Sequence, residues 1–376
     1  MLGRVWNFIK RHKKKFIFTS VVIGGGVFIW KYAQSKLEEL QEKEAAECLS
    51  YARKQHHFDS NQRTCNMTVL SMLPKLRETL MQALDSEALT AQLKSKPSNK
   101  VQIWEELKIL SFTRTMMSVY MSAMMIVFLR VQLNIIGGYM YLDNIHDRNG
   151  TNKQLAVATQ SVQHKYLEKV HFLTGPGLMS LTAVVKKAVQ SCIGSIPFKQ
   201  TLTLVNIEEI FRQVRQAVEQ GSQNGFQGCS VLCQFILPQD CDIGEACSLN
   251  GEEIILAKLM KETQDIVDGK DFQLVLDKCL ETGFSRLVDR IAEFFQQDPK
   301  SGESVVNPNL VGMPLAKIVP IMNGMIHTVC ADVPNTFVQE LLMLEPVKDF
   351  AANVYEAFTQ STDASTDASA QNVDVQ

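Results

Sequence analysis

Apolar and polar positions divide the chain into stretches of distinct character. Fifteen residues from Phe16 to Trp30 carry no charge and are bracketed by Lys15 and Lys31. Residues 34–58 are densely charged, with Leu37, Leu40, Ala45, Leu49 and Ala52 as a thin apolar stripe among i,i+4 acid–base pairs, which predicts a solvated helical stalk. From Val69 the stripe becomes a core face. Val69, Leu70, Leu73, Leu76, Leu80 and Leu84 recur at steps of three and four, with Pro74 expected to kink or break the helix they form. Asp85 and Ser86 read as a stop followed by a new N-cap, here Ser86, opening a short helix with Leu89 and Leu93. After the loop 94–100, Asn99 is placed to cap a helix carrying Ile103, Trp104, Leu107 and Leu110.

Fourteen uncharged residues, Met116 to Leu129, lie between Arg114 and Arg130. That is short for a membrane span and suits a helix buried in a large core. Helical periodicity continues around Val184–Cys192, Ile207–Val218, Ile254–Ile266, Phe284–Phe295, Leu315–Met325 and Phe337–Val347. Strand alternation is weak, with Ser230–Leu237 the one run of interest, and Gly175-Pro176-Gly177 reads as a turn. Residues 145–160, 220–250 and 297–312 read as loops. The end repeats STDAS without bulky apolar residues and reads as a disordered tail. The fold expected is all-α: a large helical bundle behind a single N-terminal transmembrane helix. Its parts are a basic targeting segment (1–15), an anchor (16–33), a stalk (34–58), a helical receptor domain (59–358) and a tail (359–376).

Composition alters little: 376 residues, 45% apolar and a net charge of −2 exclude a chain that is disordered or nucleic-acid-binding as a whole. The placement of charge matters more. Arg11, Lys13, Lys14 and Lys15 stand in a head without acidic residues, which is a targeting feature. Trp30, Lys31 and Tyr32 make a poor signal-cleavage site, so the apolar run is expected to stay as an anchor with Trp30 and Tyr32 at one interface. The positive-inside rule would put the body across the membrane from the cytosol. Nine scattered cysteines, an odd number, and the sequons at Asn66 and Asn149 favour the opposite orientation, with the body in the cytosol.

Cys229, Cys233, Cys241 and Cys247 are spaced more widely than zinc ligands prefer and read as incidental thiols of a loop region. No phosphate loop, HExxH or GxSxG motif is present. The reading is a non-enzyme without metal or cofactor.

Several runs carry a resemblance: VWNFIKRHKKK with the apolar stretch after it, SNQRTCNMTVLSMLPKLRE, RVQLNIIGGYMYLDN and EPVKDFAANVYEAF. Together they make the chain, from residue 1 to about 358, similar to vertebrate members of the peroxin three family of peroxisomal biogenesis factors. The resemblance implies a peroxisomal membrane protein with a short matrix-facing N-terminus and an all-helical cytosolic domain. It implies a hydrophobic groove at the membrane-distal end that docks the N-terminal amphipathic helix of peroxin nineteen, the cytosolic chaperone and import receptor of peroxisomal membrane proteins. On this sequence the groove is implied at Thr90, Leu93, Lys94, Lys100, Trp104, Leu107 and Lys108, with Asn134 and Met140 completing its wall. Targeting information is implied in residues 1 to about 45. From residues 1–15 alone, a signal-anchored mitochondrial or endoplasmic-reticulum enzyme is the competing reading.

Overall fold

The computed structural model describes residues 13–149, 159–220, 231–238, 251–295 and 308–360. It separates into two units, residues 1–59 and 60–376. Helix α1 (Lys13–Ala83) contributes to both. In the first unit, side chains from Trp30 to Tyr51 are exposed where described, and Glu39 pairs with Lys36 at 2.7 Å and Lys43 at 3.0 Å. The expected anchor 16–33 is helical; its side chains through Ile29, and that of Ala33, lie outside the described residues, as do Arg11 and the side chains of Lys13, Lys14 and Lys15.

The second unit is built around α3 (Lys100–Asn149). Every residue from Leu107 to Gly138 is buried. A helix apolar on all sides needs partners on all sides, and α3 is surrounded. Against it pack α2 (Ser86–Lys94), α4 (Gln160–Leu167), α5 (Leu178–Ile193), α7 (Gly251–Val267), α8 (Lys270–Ala292), α9 (Leu315–Gly324), α10 (Ile326–Val329), α11 (Thr336–Leu342) and α12 (Glu345–Ala357). A further helix, α6 (Leu204–Gln220), packs on α5 and α8. Among the described residues one helix, Lys100–Ile145, is long and apolar enough to cross a membrane; its apolar window is wholly inside the body, and every residue of the Met116–Leu129 run is buried.

Buried polar side chains lock α3 to its neighbours. Arg130 donates to Gln62 and, at 2.6 Å, to Asn66; Asn134 accepts from Gln62 at 2.7 Å and from Asn61 at 3.0 Å. The helices approach closely at Gly137, where a Cβ would lie 2.7 Å from the Asn61 amide nitrogen. The Asn66 sequon therefore sits within a helix with its side chain engaged, and its glycan status reports the fold rather than the side of the membrane.

Three sequence expectations are corrected, and of the two outcomes expected at Pro74, a kink or a break, the break does not occur. Helix α1 continues through Pro74: Leu73 and Leu76 are both buried while Pro74 faces solvent, so core packing holds the helix where the ring removes a backbone bond. The cap of α2 is Asp85, whose carboxylate accepts from Ala88 N at 2.8 Å, and Ser86 is its buried first residue. Gly175-Pro176-Gly177 belongs to a π-helical turn, Leu173–Gly177, leading into α5. The described part of Ser230–Leu237 forms turns and a 3-10 turn (Cys233–Phe235), not a strand. Among the described residues the two strands are β1 (Thr201–Leu202) and β2 (Met313–Pro314), an antiparallel pair too short to show alternation.

Candidate functional site

Helices α2 and α3 form a hairpin closed by residues 95–99, where Lys96 takes a left-handed φ of 54°. The α3 N-terminus follows the expected cap position, with the Asn99 carbonyl accepting from Ile103 N at 3.2 Å. The hairpin sets Thr90 and Leu93 alongside the first turns of α3. There Ile103 and Leu107 turn into the core, while Trp104, about 100° from Ile103 around the helix, stays 39% exposed. Leu93 is half-buried; Thr90, Lys94, Lys96 and Lys100 are exposed. The result is an exposed indole beside an aliphatic floor with a basic margin.

Sequence reasoning missed one wall. The turn following α5 carries Ile196 and Phe198, and the Phe198 ring meets Trp104 edge-on, with centroids 6.1 Å apart and planes at 73°. Nothing local in the sequence joins residues this far apart. Phe198 is half-buried and braces the indole edge-on.

Lys108, expected in the groove, is fully buried. Its ammonium donates to the carbonyls of Gly194 at 3.1 Å and Ile196 at 2.9 Å, pairs with Glu105 at 2.6 Å, and lies 5.2 Å from the Phe198 ring centroid. One signal for this was available: a lysine directly after Leu107, on a helix apolar all round, is a charge that needs buried partners. Arg114, one and a half turns on, is also fully buried. It reaches Leu84 O at 3.5 Å, Ser86 Oγ at 2.5 Å and both Glu87 oxygens at 3.0–3.1 Å. Burial works against the Glu87 carboxylate, but the Arg114 guanidinium beside it wins and holds its pKa below the usual range.

Asn134 and Met140 do not join this site. They share α3 with Trp104 but lie thirty and thirty-six residues further along it, roughly 45 and 54 Å at a helical rise of about 1.5 Å per residue. Asn134 is buried in the polar lock to Asn61 and Gln62, and Met140 is exposed near the other end of the helix. The two cannot wall a groove that contains Trp104.

Of the four clustered cysteines only Cys233 lies among the described residues, buried, with its thiol donating to Val267 O at 3.3 Å. Among the described residues no group of His, Cys, Asp or Glu is arranged to hold a metal ion.

Comparison with known proteins places these observations in a family. The Peroxin-3 family model matches residues 7–100 and 94–357. The chain is 52% identical over 369 residues to Peroxisomal biogenesis factor 3 of Mus musculus and 51% identical over 369 residues to Peroxisomal biogenesis factor 3 of Homo sapiens; each match covers 96% of this chain and 98% of the relative. It is also 25% identical over 280 residues to the Peroxisomal membrane protein PEX3 of Komagataella phaffii, covering 58% of this chain and 60% of that protein.

Proposed function

Because the chain belongs to the Peroxin-3 family, whose role in peroxisome biogenesis is not enzymatic, we propose that it is a docking receptor of the peroxisomal membrane. Residues 16–33 are the anchor, residues 1–15 face the matrix, and the helical body faces the cytosol. The groove formed by α2, the first turns of α3 and the 194–198 turn takes the N-terminal amphipathic helix of peroxin nineteen, which brings membrane-protein cargo for insertion. The competing reading, a mitochondrial or endoplasmic-reticulum enzyme, rested on the basic head alone; a family match running from residue 7 to 357 removes its basis.

The observation that carries the reading is Trp104. A large aromatic left 39% exposed, braced by Phe198 and set beside Leu93, is the kind of anchor on which helix-in-groove recognition depends. Lys94 and Lys100 at its margin suit a helix with acidic flanks. Replacing Trp104 with alanine removes the anchor. Affinity for the N-terminal peptide of peroxin nineteen, measured by calorimetry, should fall at least about thirtyfold, or roughly 2 kcal/mol. The body should lose only about 1–2 kcal/mol of stability, because the indole is partly in water already and gives up one edge-to-face contact. Wild-type affinity in the variant would place the docking surface elsewhere; loss of the folded body would make Trp104 a core residue.

A further inference from the structure

We infer that two buried cations on α3, Lys108 and Arg114, preorganise the groove: each ties down one wall, and neither touches the docked helix. The inference rests on the docking reading above, and the test below separates the two.

Lys108 is fully buried, and its ammonium donates to the Gly194 and Ile196 carbonyls and is ion-paired with the Glu105 carboxylate. Complete burial keeps it out of a partner's reach. Its two carbonyl acceptors belong to the turn that ends α5 and delivers Phe198 to Trp104. Carbonyls at a helix end lack intrahelical partners, so this ammonium replaces donors the backbone cannot supply. Without it the turn loses this tie to α3, leaving Phe198 to the bond its carbonyl accepts from Ala316 N at 3.1 Å and its ring freer to leave the indole edge.

Arg114 does the same for the opposite wall. Helix α2 has nine residues, too few to be stable alone. The guanidinium grips its start through Leu84 O, Ser86 Oγ and both oxygens of Glu87, on the same helix that displays Trp104. Thr90 and Leu93 are thereby held in register with Trp104. Walls fixed before binding need not be ordered during it, which raises affinity without adding a contact.

The test uses the full chain in detergent micelles, with Lys108→Met and Arg114→Met as variants and Arg114→Lys as a milder one that keeps the charge but loses the two-pronged grip. Hydrogen exchange is read by mass spectrometry, and affinity is read with a synthetic N-terminal peptide of peroxin nineteen. Lys108→Met should speed exchange at least tenfold in 194–199 and Arg114→Met likewise in 86–94, with α8 and the middle of α3 unchanged. Each should weaken the peptide by about tenfold, and Arg114→Lys should lie between wild type and Arg114→Met in both readouts. Unchanged exchange in the tied segment overturns the inference, and so does faster exchange throughout the body. A weaker peptide without local loosening would make these cations direct contacts, which also overturns it. Local loosening in a chain whose wild type does not bind the peptide would uphold the ties and defeat the docking reading.

Discussion

Two glycines in the π-helical turn ahead of α5 offer a matched pair of perturbations. Gly177 has ordinary helical angles, φ −61° and ψ −45°, so its backbone does not require glycine. Space does. A Cβ there would lie 2.0 Å from the carbonyl oxygen of Phe235 and 3.1 Å from that of Phe172. At Gly175 a Cβ meets nothing within 4 Å apart from its chain neighbours, one of which is Pro176. Gly175→Ala should therefore be close to neutral, because lower unfolded-state entropy and better helix propensity are offset by the crowding of a helical Cβ against the Pro176 ring. Gly177→Ala gains in unfolded-state entropy and helix propensity but must push the Phe235 carbonyl back by more than 1 Å. That carbonyl belongs to a turn whose Leu232, Cys233, Phe235, Ile236 and Leu237 are all buried, so retreat means repacking, at a cost of about 3 kcal/mol. The expected gap between the variants is about 3 kcal/mol, or roughly 5 °C in Tm for a body of about 300 residues. Unfolding in urea followed by circular dichroism measures it. Equal stability in the two variants would refute the reasoning, because it would mean that the 232–237 turn is not pressed against the π-turn.

Thiol reactivity should follow burial and orientation together. Burial pushes the Cys65 thiol up to about 11 and those of Cys279 and Cys330 up to about 12, so these should resist maleimide at pH 8 until the body unfolds. Exposed Cys48, just beyond the proposed anchor, should be labelled in intact peroxisomes by a membrane-impermeant maleimide, and protection there would reverse the proposed orientation. The chain from Glu42 onward should be soluble and unfold cooperatively without detergent; complete partitioning into membranes would instead make part of α3 a span.

Much of the fold is legible because one rule, apolar residues every three or four positions, governs long stretches. Val69, Leu70, Leu73, Leu76, Leu80 and Leu84 are all buried, as are Ile207, Ile210, Phe211, Val214 and Val218. The rule fails where packing overrides local preference. Pro74 stays within a helix because its neighbours are anchored in the core, and a turn-like Gly-Pro-Gly is drawn into a π-turn by the close approach of Phe235. The site was legible only in part. Trp104 entered the site through the family resemblance; by its local pattern alone it reads as one more core position of its helix. The roles of Lys108, Asn134 and Phe198 depend on partners up to about ninety residues away, and no local pattern encodes such partners.

The central position of α3 has a consequence for synthesis on the ribosome. Its covering helices come from both sides of the sequence: α1 and α2 before it, and a series running to α12, which ends at Ala357, after it. The nascent chain thus emerges with its most apolar stretch early and cannot enclose it until almost the last residue of the body has been made. Throughout elongation this segment competes with the N-terminal apolar run for any machinery that captures hydrophobic sequences. Arg114 and Arg130, placed at its two ends, are then charges that oppose its transfer into a bilayer, before they become the bonds that hold it in the finished body.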